Sequence, residues 1–252
     1  MQIDPVAFRI FGISVYWYGI MISLGMLAGI YVALKRTRHY SISEDELINF
    51  ALVVVPAAVI GARLAFVISN WESFAGDWLA IINIRQGGLA IHGAIFVAIL
   101  VCIVYSYVKK MNFWRIADTC APSLILGQAI GRWGNFFNQE AYGVPTDLPW
   151  AMYIDGAYRH PIFLYESIWN LLVFVYLIYI SRKEKTDGGI FLRYLIGYSI
   201  GRFFIEGVRA DTLYWGNLRA GQVVSILLIL AGSLLLWWRK NRRPDTKGGE
   251  TK

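Results

Sequence analysis

Ionisable side chains that stand inside otherwise apolar stretches of the chain, and are candidates for a site, are Arg63, Asp118, Arg132, Glu166, Arg202 and Glu206. A charge at the centre of a bilayer costs about 2.5–3.5 kcal/mol on insertion scales, so each needs a partner or a use. Tyr194, Tyr198, Arg202 and Glu206 recur at every fourth residue, and Arg209 follows three later. In a helix that spacing lines one face. Such a face is too polar for lipid and must meet protein or water. It either holds an internal Arg202–Glu206 pair that pins helices or lines a site.

The densest polar signal is the run Gly131-Arg132-Trp133-Gly134-Asn135-Phe136-Phe137-Asn138-Gln139-Glu140-Ala141-Tyr142-Gly143. It reads as a helix end that unwinds beside a polar cavity. Arg132 offers a planar fork suited to phosphate oxygens, and Arg202 is a second arginine able to complete a clamp. Asn135, Asn138 and Glu140 are placed to hold that fork or to bind hydroxyls. His92 stands between glycines in Gly87-Gly88-Leu89-Ala90-Ile91-His92-Gly93-Ala94, where backbone or ligand can approach closely. A lone histidine of this kind is either a structural group or a base. Three histidines and two cysteines, Cys102 and Cys120, are too few and too scattered for a metal cluster. The cysteines lie in or beside apolar runs and read as small core residues. No phosphate-cradling or dinucleotide loop appears, so neither metal nor organic cofactor is expected.

Helices in a membrane must carry these groups. The 252 residues are 57% hydrophobic and only 16% charged, outside the range of a soluble domain. Seven spans are expected, at about 16–34, 49–70, 90–108, 116–134, 163–181, 189–208 and 221–238, which makes an all-α polytopic membrane protein and a single integral domain over 1–252. The basic residues orient it. All eight lysines, with Arg36, Arg38, Arg115, Arg182, Arg239, Arg242 and Arg243, fall on one side. Arg9, Arg85, Arg159, Arg209 and Arg219 fall on the other. The N-terminus is therefore expected outside and the C-terminus in the cytoplasm, with outer loops over 71–89 and 135–162. The first loop is expected to hold an interfacial helix around Trp71, Trp78, Leu79 and Ile82. The tail from Arg239 reads as a solvated end near anionic lipid. Asp4 and Pro5, with no lysine before the first span, argue against a cleaved signal peptide. The net charge of +7 is explained by this sidedness, so no nucleic-acid partner is expected. Gly25/Gly29, Gly127/Gly131 and Gly197/Gly201 read as close helix-packing pairs. No internal repeat supports an inverted-repeat transporter.

With these residues in view the chain closely resembles the bacterial phosphatidylglycerol–prolipoprotein diacylglyceryl transferases. The run from Gly131 to Gly143 fits the family signature, and VYWYG (15–19), GGLAIHG (87–93), HPIFLYES (160–167), YSIGRFFIEGVR (198–209) and GQVVS (221–225) follow the family order. Ala94 and the segment HPIFL depart from the commoner family residues. The resemblance implies a multi-pass enzyme of the bacterial cytoplasmic (inner) membrane. It would move the diacylglyceryl group of phosphatidylglycerol onto the lipobox cysteine thiol of a prolipoprotein signal peptide, forming a thioether and releasing glycerol phosphate. Arg132 and Arg202 match the arginines that would meet the phosphate. His92 matches a candidate base for the thiol, and Arg202 could instead lower the thiol pKa by its charge; the sequence leaves both open. Tyr18 would position lipid or thiol. Asn135, Glu140, Gly143, Tyr198 and Glu206 would shape the phosphatidylglycerol pocket. A different phospholipid-head-group enzyme or a membrane transporter remains the alternative.

Overall fold

The computed structural model describes residues 3–84 and 87–241. Arg85 and the tail residues beyond Asn241, both used in the charge count, lie outside the described residues. The chain opens with a hairpin of β1 (Val6–Ile10) and β2 (Ile13–Tyr16). Then follow α1 (Trp17–Arg36), a 3-10 turn (Thr37–Tyr40), α2 (Glu44–Ser69), α3 (Trp71–Phe74), α4 (Trp78–Ile82), α5 (Ile91–Val108) and α6 (Phe113–Asn138). The hairpin β3 (Met152–Ile154) and β4 (Ala157–Arg159) precedes α7 (Ile162–Ser181) and α8 (Gly189–Glu206). The hairpin β5 (Tyr214–Trp215) and β6 (Leu218–Arg219) leads into α9 (Ala220–Asn241).

Among the described residues, five helices are long and apolar enough to cross a membrane: α1 with its extension to Tyr40, α2, α5, α7 and α9. The protein is a helical polytopic membrane protein. Helices α6 and α8 run 26 and 18 residues and are more polar. Two expectations change. The fold is not purely helical, because among the described residues two-stranded hairpins form at three places outside the long helices. The interfacial helix of 71–89 is two short helices, α3 and α4, parted at Gly76, whose φ of +96° suits glycine. Helix ends also move. α2 starts at Glu44 because the Ser43 hydroxyl accepts the Glu46 amide at 3.1 Å, and Glu44, Asp45 and Glu46 favour a helix N-terminus.

The chain divides into two compact units, one of residues 34–116 and one built from residues 3–33 and 117–241. In the first, α2 and α5 pack backbone to backbone at Gly61 and Gly93. A Cβ on Gly61 would lie 2.8 Å from the Gly93 carbonyl oxygen. Arg63 is buried and donates to four carbonyl oxygens of the following link, those of Ala80 (2.6 Å), Ile81 (2.8 Å), Gly87 (2.9 Å) and Gly88 (2.9 Å). Its guanidinium also faces the Phe66 and Phe74 rings. This charge is the anchor of a loop, with four of its five donor hydrogens given to that loop.

The second unit has its core where Ala121 and Ile125 of α6 meet Val173 and Leu177 of α7 and Ile190 and Tyr194 of α8. Asp118, fully buried on α6, caps α8 from outside that helix. Its carboxylate accepts the amides of Gly188 (2.7 Å), Ile190 (3.0 Å) and Phe191 (2.8 Å). A helix N-terminus leaves such amides unpaired and carries partial positive charge, so a carboxylate suits it. Asp118 thus holds two helices together.

Candidate functional site

Three helices and the segment after α8 bring the remaining charges together. Helix α6 meets α1 through a row of glycines. A Cβ on Gly25 would lie 2.9 Å from the Gly127 carbonyl oxygen. Farther along, Gly131 faces Ile22, and a Cβ on Gly134 would lie 2.7 Å from the Tyr18 ring. Trp17 stacks on Phe137 with centroids 4.8 Å apart. The row therefore sets Tyr18 against the turn of α6 that carries Arg132. On another face of α6, Ser167 of α7 donates to the Ala129 carbonyl (2.9 Å) and accepts from Trp133 Nε1 (3.2 Å). Helix α7 is tied to α8 by Trp169 Nε1, which donates to the Gly197 carbonyl at 2.8 Å, with its indole against Gly201.

This packing places Glu166 of α7 at the hub. Arg132 Nε lies 2.8 Å from Glu166 Oε2, and Arg202 Nη1 lies 2.8 Å from Oε1. Arg209 Nη1 approaches Oε1 at 3.5 Å. A second carboxylate, Glu206, receives Arg202 Nη2 at 2.7 Å and the Thr212 hydroxyl at 3.2 Å, with Arg209 Nε at 3.9 Å. Glu166 and Glu206 are 4% and 3% exposed. Three guanidiniums thus surround two buried carboxylates. Asp211, at the rim, takes two further bonds from Arg209, of 2.7 and 3.0 Å. The side chains of Arg132 and Arg202 keep about a quarter of their surface accessible (24% each), so each retains an edge for an anion.

Helix α6 does not unwind at its glycines as expected. It continues to Asn138, and the chain then turns through positive φ at Gln139 (+52°) and Ala141 (+54°). That turn folds Glu140 back over the last helical turn, where its carboxylate accepts Asn135 Nδ2 (2.9 Å) and Asn138 Nδ2 (3.4 Å). Asn135 in turn accepts Arg132 Nη1 at 3.4 Å. So Asn135 connects Glu140 to the arginine. Gly143 serves close backbone approach. Its amide donates to the His160 carbonyl at 3.0 Å, and a Cβ there would lie 2.7 Å from the Val208 carbonyl oxygen. Tyr198 lies one turn before Arg202 on α8 and packs beside Tyr194, whose hydroxyl accepts Gln128 Nε2 at 2.9 Å.

Tyr18, Arg132, Asn135, Glu140, Gly143, Tyr198, Arg202 and Glu206 all belong to the unit that contains this cluster. His92 belongs to the other, exposed in the first turn of α5 and next to Gly93. Glu166 and Arg209, though named in the sequence as a charge inside a span and as the end of the polar face, carry no assigned part in the site there. The signal for Glu166 was its place as an acid inside a span. For Arg209 it was the i+3 step from Glu206.

Residues 5–238 match the family described as prolipoprotein diacylglyceryl transferase. The chain belongs to that family. Every cluster residue from Tyr18 to Arg209 falls inside the matched stretch. A protein of Finegoldia magna named phosphatidylglycerol–prolipoprotein diacylglyceryl transferase is 48% identical over 233 residues, covering 92% of this chain and 94% of that one. Proteins of the same name from Clostridium botulinum (strain Langeland) and Clostridioides difficile (strain 630) are each 44% identical. The first alignment covers 93% of this chain and 96% of the relative, and the second 91% and 92%.

Proposed function

We propose that this protein transfers the diacylglyceryl group of phosphatidylglycerol to the lipobox cysteine thiol of a prolipoprotein. The sulfur attacks the glyceryl carbon, a C–S bond forms, the C–O bond to phosphate breaks, and glycerol phosphate leaves with the electron pair. The observation that carries the reading is family membership over residues 5–238. The arginine cluster suits the chemistry, since the leaving group is an anionic phosphate ester that needs fixed positive charge. Arg132 and Arg202 meet the phosphate. Glu166 and Glu206 hold both guanidiniums in place before substrate arrives, so little reorganisation remains. Asn135 and Glu140 steady Arg132 from the other side, Gly143 and Tyr198 shape the pocket, and Tyr18 positions lipid or thiol. The thiol must lose its proton to attack. His92 takes it as a base, or Arg202 favours the thiolate by its charge.

The enzyme acts within one integral domain of the bacterial cytoplasmic membrane. Helices α6 and α8 cross it with the five apolar helices, making seven spans with the N-terminus outside and the basic ends inside. Its substrates are phosphatidylglycerol and a prolipoprotein signal peptide.

The test is purified full-length protein with phosphatidylglycerol and a lipobox peptide. A peptide carrying a thioether-linked diacylglyceryl group, with glycerol phosphate in equal amount, is the expected result. Glycerol phosphate released with the peptide unmodified would indicate a head-group hydrolase and overturn the reading. Uptake of labelled glycerol phosphate into liposomes without either product would indicate a transporter. In the same assay His92→Gln lowers turnover about 100–10,000-fold if His92 is the base. If it keeps most of its turnover from pH 6 to 9, a range chosen around the ordinary thiol pKa of about 8.5, thiol activation passes to Arg202.

A further inference from the structure

The opposite end of α8 carries a second concentration of charge that the transferase chemistry does not use. Arg193 precedes Arg202 by nine residues, about 14 Å along a helix. Around it lies a cavity of about 400 Å³, lined among others by Lys183, Glu184, Lys185, Thr186, Arg193 and Lys240. Lys183 and Lys185 lie in the link between α7 and α8, and Lys240 comes from the last turn of α9. Arg239, beside it, fastens that turn to the link by donating to the Asp187 carbonyl at 3.0 Å. The cavity therefore sits where two membrane-crossing helices, α7 and α9, both end.

Glu184 is the one acid among these lining residues, and its charge is already used. It pairs with Arg193, and its Oε1 accepts the amides of Thr186 (2.8 Å) and Lys185 (3.1 Å). Arg193 also donates to the Gly189 carbonyl at 2.8 Å. Burial alone would raise the Glu184 pKa. The Thr186 bonds and the Arg193 and Lys240 charges outweigh it and hold the carboxyl below its ordinary range. Glu184 therefore stays charged and locked at neutral pH. Lys183 rests on Tyr179, its Nζ 3.0 Å from the hydroxyl. Glu184 is thus shared between Arg193 and Lys240, and the four basic side chains of the cavity outnumber its single acid.

We propose that this cavity binds the phosphate of an anionic phospholipid head group, at a site separate from the Arg132–Arg202 cluster. Three lysines converge at the level where the apolar helices stop, which is where lipid phosphates lie. The cavity is open to the surface, so a head group can enter it while its chains stay in the bilayer. Free phosphate offers the same oxygens, but only a lipid is held at this depth by its chains.

The test uses full-length protein in phosphatidylcholine nanodiscs, with phosphatidic acid as the probe and bound lipid counted by native mass spectrometry. A juxtamembrane lysine is worth about fivefold in affinity, so the variant Lys183→Gln/Lys185→Gln/Lys240→Gln should bind about 100-fold more weakly. The matched variant Lys35→Gln/Lys109→Gln/Lys110→Gln removes the same charge from the other unit and should bind as the parent does. Arg132→Gln should also leave this binding intact. Equal loss in both lysine variants would reduce the effect to general surface charge and overturn the proposal. Inorganic phosphate competing at millimolar level and protecting equally well would assign the site to a free anion and overturn the lipid. Turnover of the triple variant at saturating phosphatidylglycerol reports its folding. If it fails to fold, Lys240→Gln alone should weaken phosphatidic acid about fivefold, and no change there also overturns the proposal.

Discussion

Arg132 can be matched in charge by lysine but not in shape. Its Nε holds Glu166 while an Nη reaches Asn135, which leaves the remaining edge to face an anion. An ammonium offers a point charge with no fixed fork. Arg132→Lys is therefore expected to insert and fold while losing about 100-fold in turnover, the scale of one lost preorganised donor. Near-parent turnover in folded protein would remove Arg132 from the phosphate. Glu166→Gln should behave differently. It takes charge from the hub of three guanidiniums, an unpairing worth about 3–5 kcal/mol when buried, and thermal unfolding should show that loss together with the loss of activity. At this scale the sequence is only partly legible. Arg132, Arg202 and Glu206 stand out because charges in apolar runs demand an explanation. Arg63 and Asp118 stand out for the same reason, yet one anchors a loop and the other caps a helix. Which charge meets which depends on the rotation of α6, α7 and α8 about their axes, and residue type does not carry that. For the same reason Glu166 is visible as an acid in a span but not as the hub.

Helices were the most legible elements, since a long apolar run in a membrane has few other fates. Their ends were less so. The sequence stops the fourth span near Gly134, because glycine and asparagine read as breakers, whereas α6 carries on to Asn138. Those glycines are there for a neighbour instead: Gly127, Gly131 and Gly134 make room for Gly25, Ile22 and Tyr18 of α1. The hairpins and the break at Gly76 depend on local turns too short to leave a periodic signal. The glycine row makes a prediction at this scale. Gly25→Leu would drive a side chain into the backbone of α6, which cannot yield as a side chain does. Overpacking of this kind costs about 1–3 kcal/mol, and it would shift Tyr18 relative to Arg132. Lower thermal stability and lower turnover are both expected. Gly19→Ala, on the same helix with open space around it, should change neither. If both variants match the parent, the row is not what seats α1.

For the whole molecule, the distribution of lysine and arginine sets the proposed orientation, and residues 135–162 should face outward. A cysteine placed at Tyr153, half exposed on β3, should react with an impermeant thiol reagent in intact spheroplasts. Labelling confined to broken cells would reverse the orientation. The two compact units were not legible in the sequence. Their division falls within α1 and α6, inside apolar runs, rather than at a polar linker. Asp118 has one more implication, for how the chain is made. The amides it accepts begin 70 residues further on. A growing chain must therefore deliver all of α7 before that carboxylate finds them. Until then the Asp118 carboxylate lacks these three donors. Synthesis thus has a late step: α6 gains these three bonds only when the first turn of α8 arrives, and the arginine–glutamate hub, which needs Arg202 and Glu206 of α8, closes after that.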